Sequence, residues 1–240
     1  MNTQRTILLI VLGLIVAATF GVAAAVVLLG PLGLTVALAG AVVLSTTYRW
    51  VIGPWHRRWG ATDAEASRVL AGDELVPEAA GSTRAVTIDA PATDVFPWIV
   101  QIGFGRAGWY SYDWIDNDGR PSADRIDPDL AGLAVGDVIP MTPTTGFVVR
   151  SIDRERHILV SQAENGTSWA VIVEDRTDGA SRLISRFRPE PARGVGARLW
   201  MLLADPGAFV MERRMLLGIK IRAEAALAAR AAERRANRLA

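Results

Sequence analysis

The stretch that decides the fold of this chain is residues 146–188, GFVVRSIDRERHILVSQAENGTSWAVIVEDRTDGASRLISRFR. It divides into four segments rich in β-branched and aromatic residues, and the turns between them carry charge or glycine. In the last segment, Leu183, Ser185 and Phe187 alternate with residues of the other face, which is the period of a half-buried strand. Short strands in series predict an antiparallel meander, with strands at 146–153, 157–162, 168–175 and 181–188.

Helical patterns flank this meander on both sides. Upstream, residues 83–90 alternate like a strand, and residues 92–102 carry apolar side chains at helical spacing. Downstream, apolar residues at steps of three and four predict a long amphipathic helix, which we expect residues 205–207 (Asp-Pro-Gly) to interrupt. The order predicts an α+β domain, in which a long C-terminal helix packs on one face of an antiparallel sheet.

The N-terminal part of the chain has a different character, since residues 6–48 contain no Asp, Glu, Lys, Arg or His. A single helix of that length would measure about 65 Å, roughly twice the thickness of a hydrocarbon core. Residues 30–33 (Gly-Pro-Leu-Gly) lie in the middle and favour a turn. We predict a transmembrane hairpin with spans at 7–29 and 34–52, and a cleaved signal peptide is the alternative.

Basic residues flank this apolar run and predict its orientation. Arg5 lies before the run, Arg49, Arg57 and Arg58 lie after it, and the turn is uncharged. By the positive-inside rule, both termini and the soluble domain should be cytoplasmic in a multi-pass plasma-membrane protein. The predicted organisation is a hairpin over residues 1–59, a connector over 60–82 that lifts the domain off the membrane, and a soluble domain over 83–240.

Composition excludes several classes of function. Residues 60–205 carry 14 Arg against 22 Asp and Glu, which argues against nucleic acid as a partner. Residues 206–240 carry eight Lys and Arg against three Glu, so the last helix either approaches anionic headgroups or forms a solvated face. The chain has no cysteine and two histidines, so thiolate chemistry is excluded, and we predict no metal and no cofactor.

Four segments resemble a known superfamily: TRAVTIDAP at 83–91, DVFPWIVQ at 94–101, GRAGWYSYD at 105–113 and FVMERRMLLGIK at 209–220. They are similar to the START-like, helix-grip superfamily (SRPBCC, or polyketide cyclase/dehydrase and lipid transport), and specifically to its membrane-anchored actinobacterial members. The resemblance implies a hydrophobic cavity beneath the C-terminal helix. It carries no catalytic motif over to numbered residues, because a fold does not supply a function.

A cavity mouth needs flat apolar surfaces with a few polar handles, which Trp and Tyr supply together. Within the predicted long helix, a glycine on the apolar stripe lets another surface approach closely. Alternatively, the aromatic residues plug a sheet edge and the aspartate beside them caps a turn. The candidate pocket residues are Trp109, Tyr110, Tyr112, Asp113, Met211, Met215 and Gly218.

Other polar residues give weaker signals. General acid–base catalysis needs a buried carboxyl with a raised pKa, and the acidic crowding around Asp113 and Asp116 indicates solvated groups, so we predict no catalytic residue. Arg182, Arg186 and Arg188 share one strand, where they form an outward polar face or else pair with an acidic ligand group.

Three functions remain open from the sequence. The first is binding or transfer of a hydrophobic small molecule (a lipid, isoprenoid or polyketide-like compound) by a domain tethered to the bilayer. The second is a cyclase or dehydratase, which an inward-facing pair of Tyr112 and Asp113 would favour. The third is a structural or interaction protein, which would be favoured by a core filled by Trp98, Trp109, Trp169 and Phe187. The oligomeric state is left open.

Overall fold

A computed structural model describes residues 3–79, 81–162 and 166–239. The chain divides into two compact units, Met1–His56 and Arg57–Ala240. The described part of the first unit is helical except for a turn at Gly30. Its elements are α1 (Thr3–Leu29), α2 (Pro31–Thr47), a π-helical turn (Tyr48–Ile52) and the start of α3 (Gly53–Arg57).

The two long helices of the first unit meet at the predicted turn. Gly30 separates them with a φ of 57°, a left-handed conformation that glycine adopts without a steric cost. Pro31 then opens α2, where its missing N–H is not needed. Gly33 packs so closely on α1 that an added Cβ would lie 1.9 Å from the carbonyl oxygen of Ala25. The chain therefore turns at Gly30, and residues 31–33 belong to α2 instead of to the predicted turn.

The apolar character of these helices bears on the predicted spans. Within residues 3–79, 81–162 and 166–239, one helical stretch, Pro31–Arg57, is long and apolar enough to cross a bilayer by length and composition. Val16–Leu29 is a shorter apolar helix. The transmembrane hairpin, its orientation and the membrane location stay predictions.

The second unit contains a six-stranded antiparallel sheet. Its strands are β1 (Ser82–Ile88), β2 (Val138–Pro140), β3 (Gly146–Asp153), β4 (His157–Gln162), β5 (Thr167–Asp175) and β6 (Ser181–Arg188). Their order in the sheet is β1-β6-β5-β4-β3-β2, so β2 to β6 are neighbours in chain order and β1 pairs with β6. This confirms the predicted meander.

Helices complete the α+β architecture that the sequence predicted. The helices of this unit are α4 (Asp63–Ser67), α5 (Ala92–Val100), α6 (Asp113–Asp116) and α7 (Gly194–Leu239). Two of them, α5 and α7, contribute side chains to the main hydrophobic core together with the inner face of the sheet. Two 3₁₀ turns, Asp73–Leu75 and Pro128–Leu130, lie in the connections.

The expected interruption of the last helix at residues 205–207 is wrong. Helix α7 runs through Pro206 as one element of 46 residues. Proline costs an interior helix about 3 kcal/mol, chiefly through one lost hydrogen bond, and tertiary contacts offset this loss. Directly before Pro206 in the chain, Asp205 pairs with Arg57 at 2.8 Å, and three residues after Pro206 the ring of Phe209 packs edge-on against Trp59.

Strand alternation gives the sheet two different faces. On β5, Trp169, Val171 and Val173 point into the main core under α5 and α7. Ala170 and Ile172 point to the other face and join a second, smaller cluster. In that cluster they meet Leu70, Ala71 and Leu75 of the connector.

The connector packs on the outer face of the sheet, and its role of lifting the domain off the membrane stays a prediction. We call its packed part, residues 61–79, the strap. Arg182 Nε lies 2.7 Å from Glu65 Oε1, and Asp73 Oδ1 lies 3.6 Å from Arg186 and 3.5 Å from Arg188. The arginine row is outward, as predicted, but it holds the strap because carboxylates and carbonyl oxygens there accept its hydrogen bonds.

We expect Glu65→Gln to loosen the strap. The hydrogen bond from Arg182 lowers the pKa of Glu65 to about 2, from an ordinary value of 4.5. The carboxylate therefore contributes stability above pH 4.5 that is lost as pH falls toward 2. Removing this charge-assisted bond should cost about 1–3 kcal/mol of unfolding free energy at pH 7, measured by urea denaturation of the full chain in detergent.

Glutamine keeps the capping-box contact of this residue with Thr62, so the variant removes the charge alone. Asp63→Asn is the matched control, because its side chain is 98% exposed and pairs with Arg58 at the surface. A loss equal to that of the control, or one that persists unchanged at pH 2, would contradict the prediction.

Candidate functional site

The space between the sheet and α7 is filled by aromatic side chains of the chain itself. The rings of Trp109 and Trp169 have centroids 5.8 Å apart, and Phe147 packs on Trp169 at 5.6 Å. Trp98 meets Tyr110 edge-on at 5.9 Å. All five rings are buried, so this interior is apolar and closed to water.

A charged pair lies beneath α7 in this unit. Arg84 of β1 forms an ion pair with Glu212 of α7, and the two side chains are 2% and 12% exposed. The Arg84 guanidinium also lies 5.3 Å from the centre of the Phe209 ring. Burial raises the pKa of Glu212, while the charge of Arg84 and the hydroxyl of Ser185 act in the opposite direction.

Ser185 connects the pair to the aromatic interior. Its hydroxyl accepts a hydrogen bond of 2.8 Å from Trp169 Nε1, which satisfies the indole donor inside the core. Arg84 comes from β1, Ser185 from β6 and Trp169 from β5, which are consecutive in the sheet. Three neighbouring strands and α7 therefore converge on one polar centre.

Tyr110 is the point of closest contact between the loop before α6 and α7. Its φ is 55°, and its carbonyl oxygen lies where an added Cβ on Gly218 would approach to 2.2 Å. Gln101 Nε2 donates to the hydroxyl at 2.7 Å, and the Arg222 guanidinium lies 4.6 Å from the ring centre. Burial raises the pKa of Tyr110 to about 12, so the phenol is neutral.

The seven predicted pocket residues lie in one region of the second unit. Besides the contact of Arg222 with the Tyr110 ring, the loop meets the helix where Tyr110 packs against Gly218 and where Ser111 Oγ donates to the carbonyl oxygen of Met211 at 3.0 Å. Of the remaining four, Trp109 and Met215 belong to the buried core, while Tyr112 and Asp113 are half-buried at the start of α6.

Asp113 and Asp116 differ in environment although they share one helical turn. Asp113 accepts hydrogen bonds from the amide and hydroxyl of Ser122, at 3.0 and 2.5 Å, and so fixes the following loop. Asp116 is half-buried, and burial together with the charge of Asp113 raises its pKa to about 7. The expectation of a solvated cluster is therefore wrong for Asp116. The spacing of three residues was the available signal, since it places both carboxyls on one side of a helix.

Two surface clefts lie elsewhere in the second unit. One, of about 170 Å³, lies between α5 and the loop after it and is lined by residues that include Phe96, Pro97 and Leu130. The other, of about 360 Å³, lies beside the last turns of α7 and includes Arg230 and Asp94, which pair at 2.7 Å. Neither contains any of the seven predicted residues. Across the described ranges, no cluster of three or more His, Asp or Glu could hold a metal ion.

The chain shows a distant similarity to a few solved protein structures. No family model matches the chain, and no curated protein matches it. The solution structure of the KanY protein shares 15% identity at a TM-score of 0.39, covering 61% of this chain and 98% of that one. A Polyketide_cyc-like protein from Corynebacterium glutamicum shares 17% identity at a TM-score of 0.34, covering 60% and 91%. CalC, a self-sacrificing resistance protein from Micromonospora echinospora, shares 11% at 0.40, covering 60% and 94%. Similarities at these scores do not assign the chain to a family.

The sequence analysis missed the buried pair. Arg84 lies two and four residues before Val86 and Ile88, so alternation puts its charge on the core-facing side of β1. A charged residue in an inward register was the available signal. Its partner Glu212 is 128 residues away in the chain, and no local pattern relates the two.

We expect Gly218→Ala to destabilise the domain. The added methyl group would meet the Tyr110 carbonyl at 2.2 Å, and backbone cannot yield as a flexible side chain does. Overpacking of this kind costs about 1–3 kcal/mol. The matched control is Gly207→Ala in the same helix, which has no atom within 4 Å of its added Cβ and should gain up to about 1 kcal/mol from helix propensity. Equal effects of the two variants in thermal unfolding would contradict the close contact.

We expect Asp116→Asn to stabilise the protein above neutral pH. The folded pKa of about 7 lies above the ordinary 3.8, so the native protein loses stability as pH rises from about 4 to 7. The variant lacks this loss and should be about 1–3 kcal/mol more stable at pH 8 and unchanged near pH 3. Urea denaturation across this pH range tests it. Asp113→Asn, which weakens the bonds to Ser122, should destabilise instead, and a stabilisation by both variants would contradict the assignment.

Proposed function

We propose that this chain is a membrane-tethered binding protein, whose soluble unit takes up an apolar small molecule with one acidic group beneath α7. The observation that carries the proposal is the Arg84–Glu212 pair, buried under the helix. A buried ion pair is weak evidence for stability, because apolar residues of similar volume often serve as well or better. Its presence beside an aromatic interior therefore favours a role in recognition.

The chemistry of the pair identifies the acidic group of the ligand. A guanidinium offers a planar fork of donors that matches a carboxylate or phosphate. Glu212 holds that position now, and its raised pKa favours the neutral form once an external anion approaches Arg84. A ligand acid would replace the Glu212 carboxylate, while Trp109 and Trp169 would contact the apolar body of the molecule.

Uptake requires α7 to shift, because its own side chains close the interior. The resemblance to a superfamily that includes lipid carriers supports the same hypothesis, that the unit binds an apolar molecule. So does the predicted tether, which would keep the unit on the cytoplasmic side of the plasma membrane, where apolar molecules are concentrated. An acidic lipid, an isoprenoid phosphate and a polyketide acid all have the acidic group and the apolar body that this proposal requires.

A second function is favoured by a different observation. Trp98, Trp109 and Trp169 are buried in the core and Phe187 packs against it, which is the arrangement expected of a filled structural core. In that case the unit acts through its surface, as an interaction protein, and the ion pair only fixes α7 on the sheet.

Native mass spectrometry of the full chain in detergent, before and after incubation with oleate or farnesyl diphosphate, tests the proposal. We expect one bound molecule, which is lost in the double variant Arg84→Met/Glu212→Leu. Each single variant should cost about 3–5 kcal/mol by leaving one buried charge, and the double variant should recover most of this stability. Loss of binding is then separated from loss of folding.

Arg68→Met/Glu174→Leu is the matched control, because it removes a half-exposed pair of the same residue types at 2.7 Å. This control should bind as the native chain does. If the native chain stays free of bound mass with both probes, the interaction protein becomes the better conclusion. Binding that survives in the Arg84 and Glu212 double variant would refute the role of the pair.

A further inference from the structure

We infer that the first turns of α7, residues 194–204, lie on the lipid bilayer as a second membrane contact of this chain. The inference rests on the proposed membrane tether. Val195 is 74% exposed and Trp200 is 54% exposed, although the segment is mostly apolar and carries a single charged residue, Arg198. Further along the same helix, Leu216 and Ile219 are fully buried in the core. Apolar side chains at the start of α7 are thus exposed, whereas an amphipathic helix of a soluble protein would bury its apolar side chains against the core.

The position of this segment follows from the residues that hold α7. Arg57 donates through Nε and Nη2 to Asp205 Oδ2, at 3.1 and 2.8 Å. Trp59 packs on Phe209 at 6.3 Å, and the Arg213 guanidinium lies 4.9 Å from the centre of the Trp59 ring. Helix α7 is therefore fixed at residues 205–213 to Arg57 and Trp59, the first and third residues of the second unit.

Arg57 is also the last residue of the helical stretch that is long enough to cross a bilayer. In a chain tethered by that helix, a basic residue at the end of the stretch lies at the membrane–water interface. Its ion pair places Asp205 at the same level. Residues 194–204 continue from there for about 16 Å of helix, so the exposed apolar segment begins at the interface.

The chemistry of the segment matches a lipid surface. Tryptophan is enriched at membrane interfaces, where the ring is apolar and its N–H stays hydrated. Arg198 lies in the segment and Arg193 lies directly before it. Basic residues are attracted to the anionic lipids of the cytoplasmic leaflet. A helix held in this way buries one side about 5–10 Å into the headgroup region. Glu212 lies seven residues beyond Asp205 on the same helix, so the bilayer would contact the element that covers the proposed binding site.

Site-directed spin labelling of the full chain tests the inference, and the absence of cysteine makes single labels straightforward. Val195→Cys and Trp200→Cys carry the test labels. The chain is reconstituted into vesicles of phosphatidylcholine and phosphatidylglycerol, and each label is probed with oxygen, which partitions into lipid, and with a water-soluble nickel chelate. We expect the ratio of oxygen to nickel accessibility at both positions to be several-fold higher than at Ala232→Cys, an exposed position near the far end of α7.

A label at Val42→Cys, within the stretch Pro31–Arg57, separates the possible failures. If residues 195 and 200 are as accessible to nickel as residue 232 while residue 42 is in lipid, the inference is overturned and the tether stands. If residue 42 is also accessible to nickel, the tether itself fails. Labels at 195 and 200 that are shielded from both reagents would mean that a second copy of the chain covers the segment, which also overturns the inference.

Discussion

The contact between α7 and the inner face of the sheet is the interaction on which the fold of the second unit depends. Two features bring the helix close: the absence of a side chain at Gly218, which admits the Tyr110 carbonyl, and the buried side chains of Met215, Leu216 and Ile219. Because the helix also carries Glu212, the same contact encloses the ion pair with Arg84. Core packing and the candidate site are thus built on one surface, and a change in one alters the other.

In the proposed function, the closure of α7 depends on the charge pair. Apolar contacts under the helix are unaffected by an anionic molecule, whereas the charge pair can exchange its carboxylate partner. The aromatic rings around Trp169 offer apolar contact area without directional bonds, whereas the Arg84 guanidinium offers directional hydrogen bonds. The proposed binding site needs no permanent cavity, since buried aromatic side chains of the chain itself fill the space.

The outer face of the sheet is covered by a different kind of contact. Its row of arginines is matched by carboxylates and carbonyl oxygens of the strap, with Ile184 and Leu75 adding apolar contact. Both faces of the sheet are therefore covered, which is unusual for a meander with an alternating polar face. The strap ends at β1, so the segment that follows the apolar helices is itself part of the folded domain.

Local patterns in the sequence were sufficient for the strands and for much of α5 and α7. Side chains alternate with a period of two in a strand and 3.6 in a helix, and residues 146–188 show the first pattern so clearly that three of the four predicted strands match the structure residue for residue. The close approach at Gly218 was also readable, because a glycine on an apolar stripe has few other roles. The pairing of Arg84 with Glu212, the strap on Arg182 and the continuity of α7 through Pro206 were decided by tertiary structure alone. Each depends on residues far apart in the chain, and the free energy of such contacts arises only after the folded chain has brought them together.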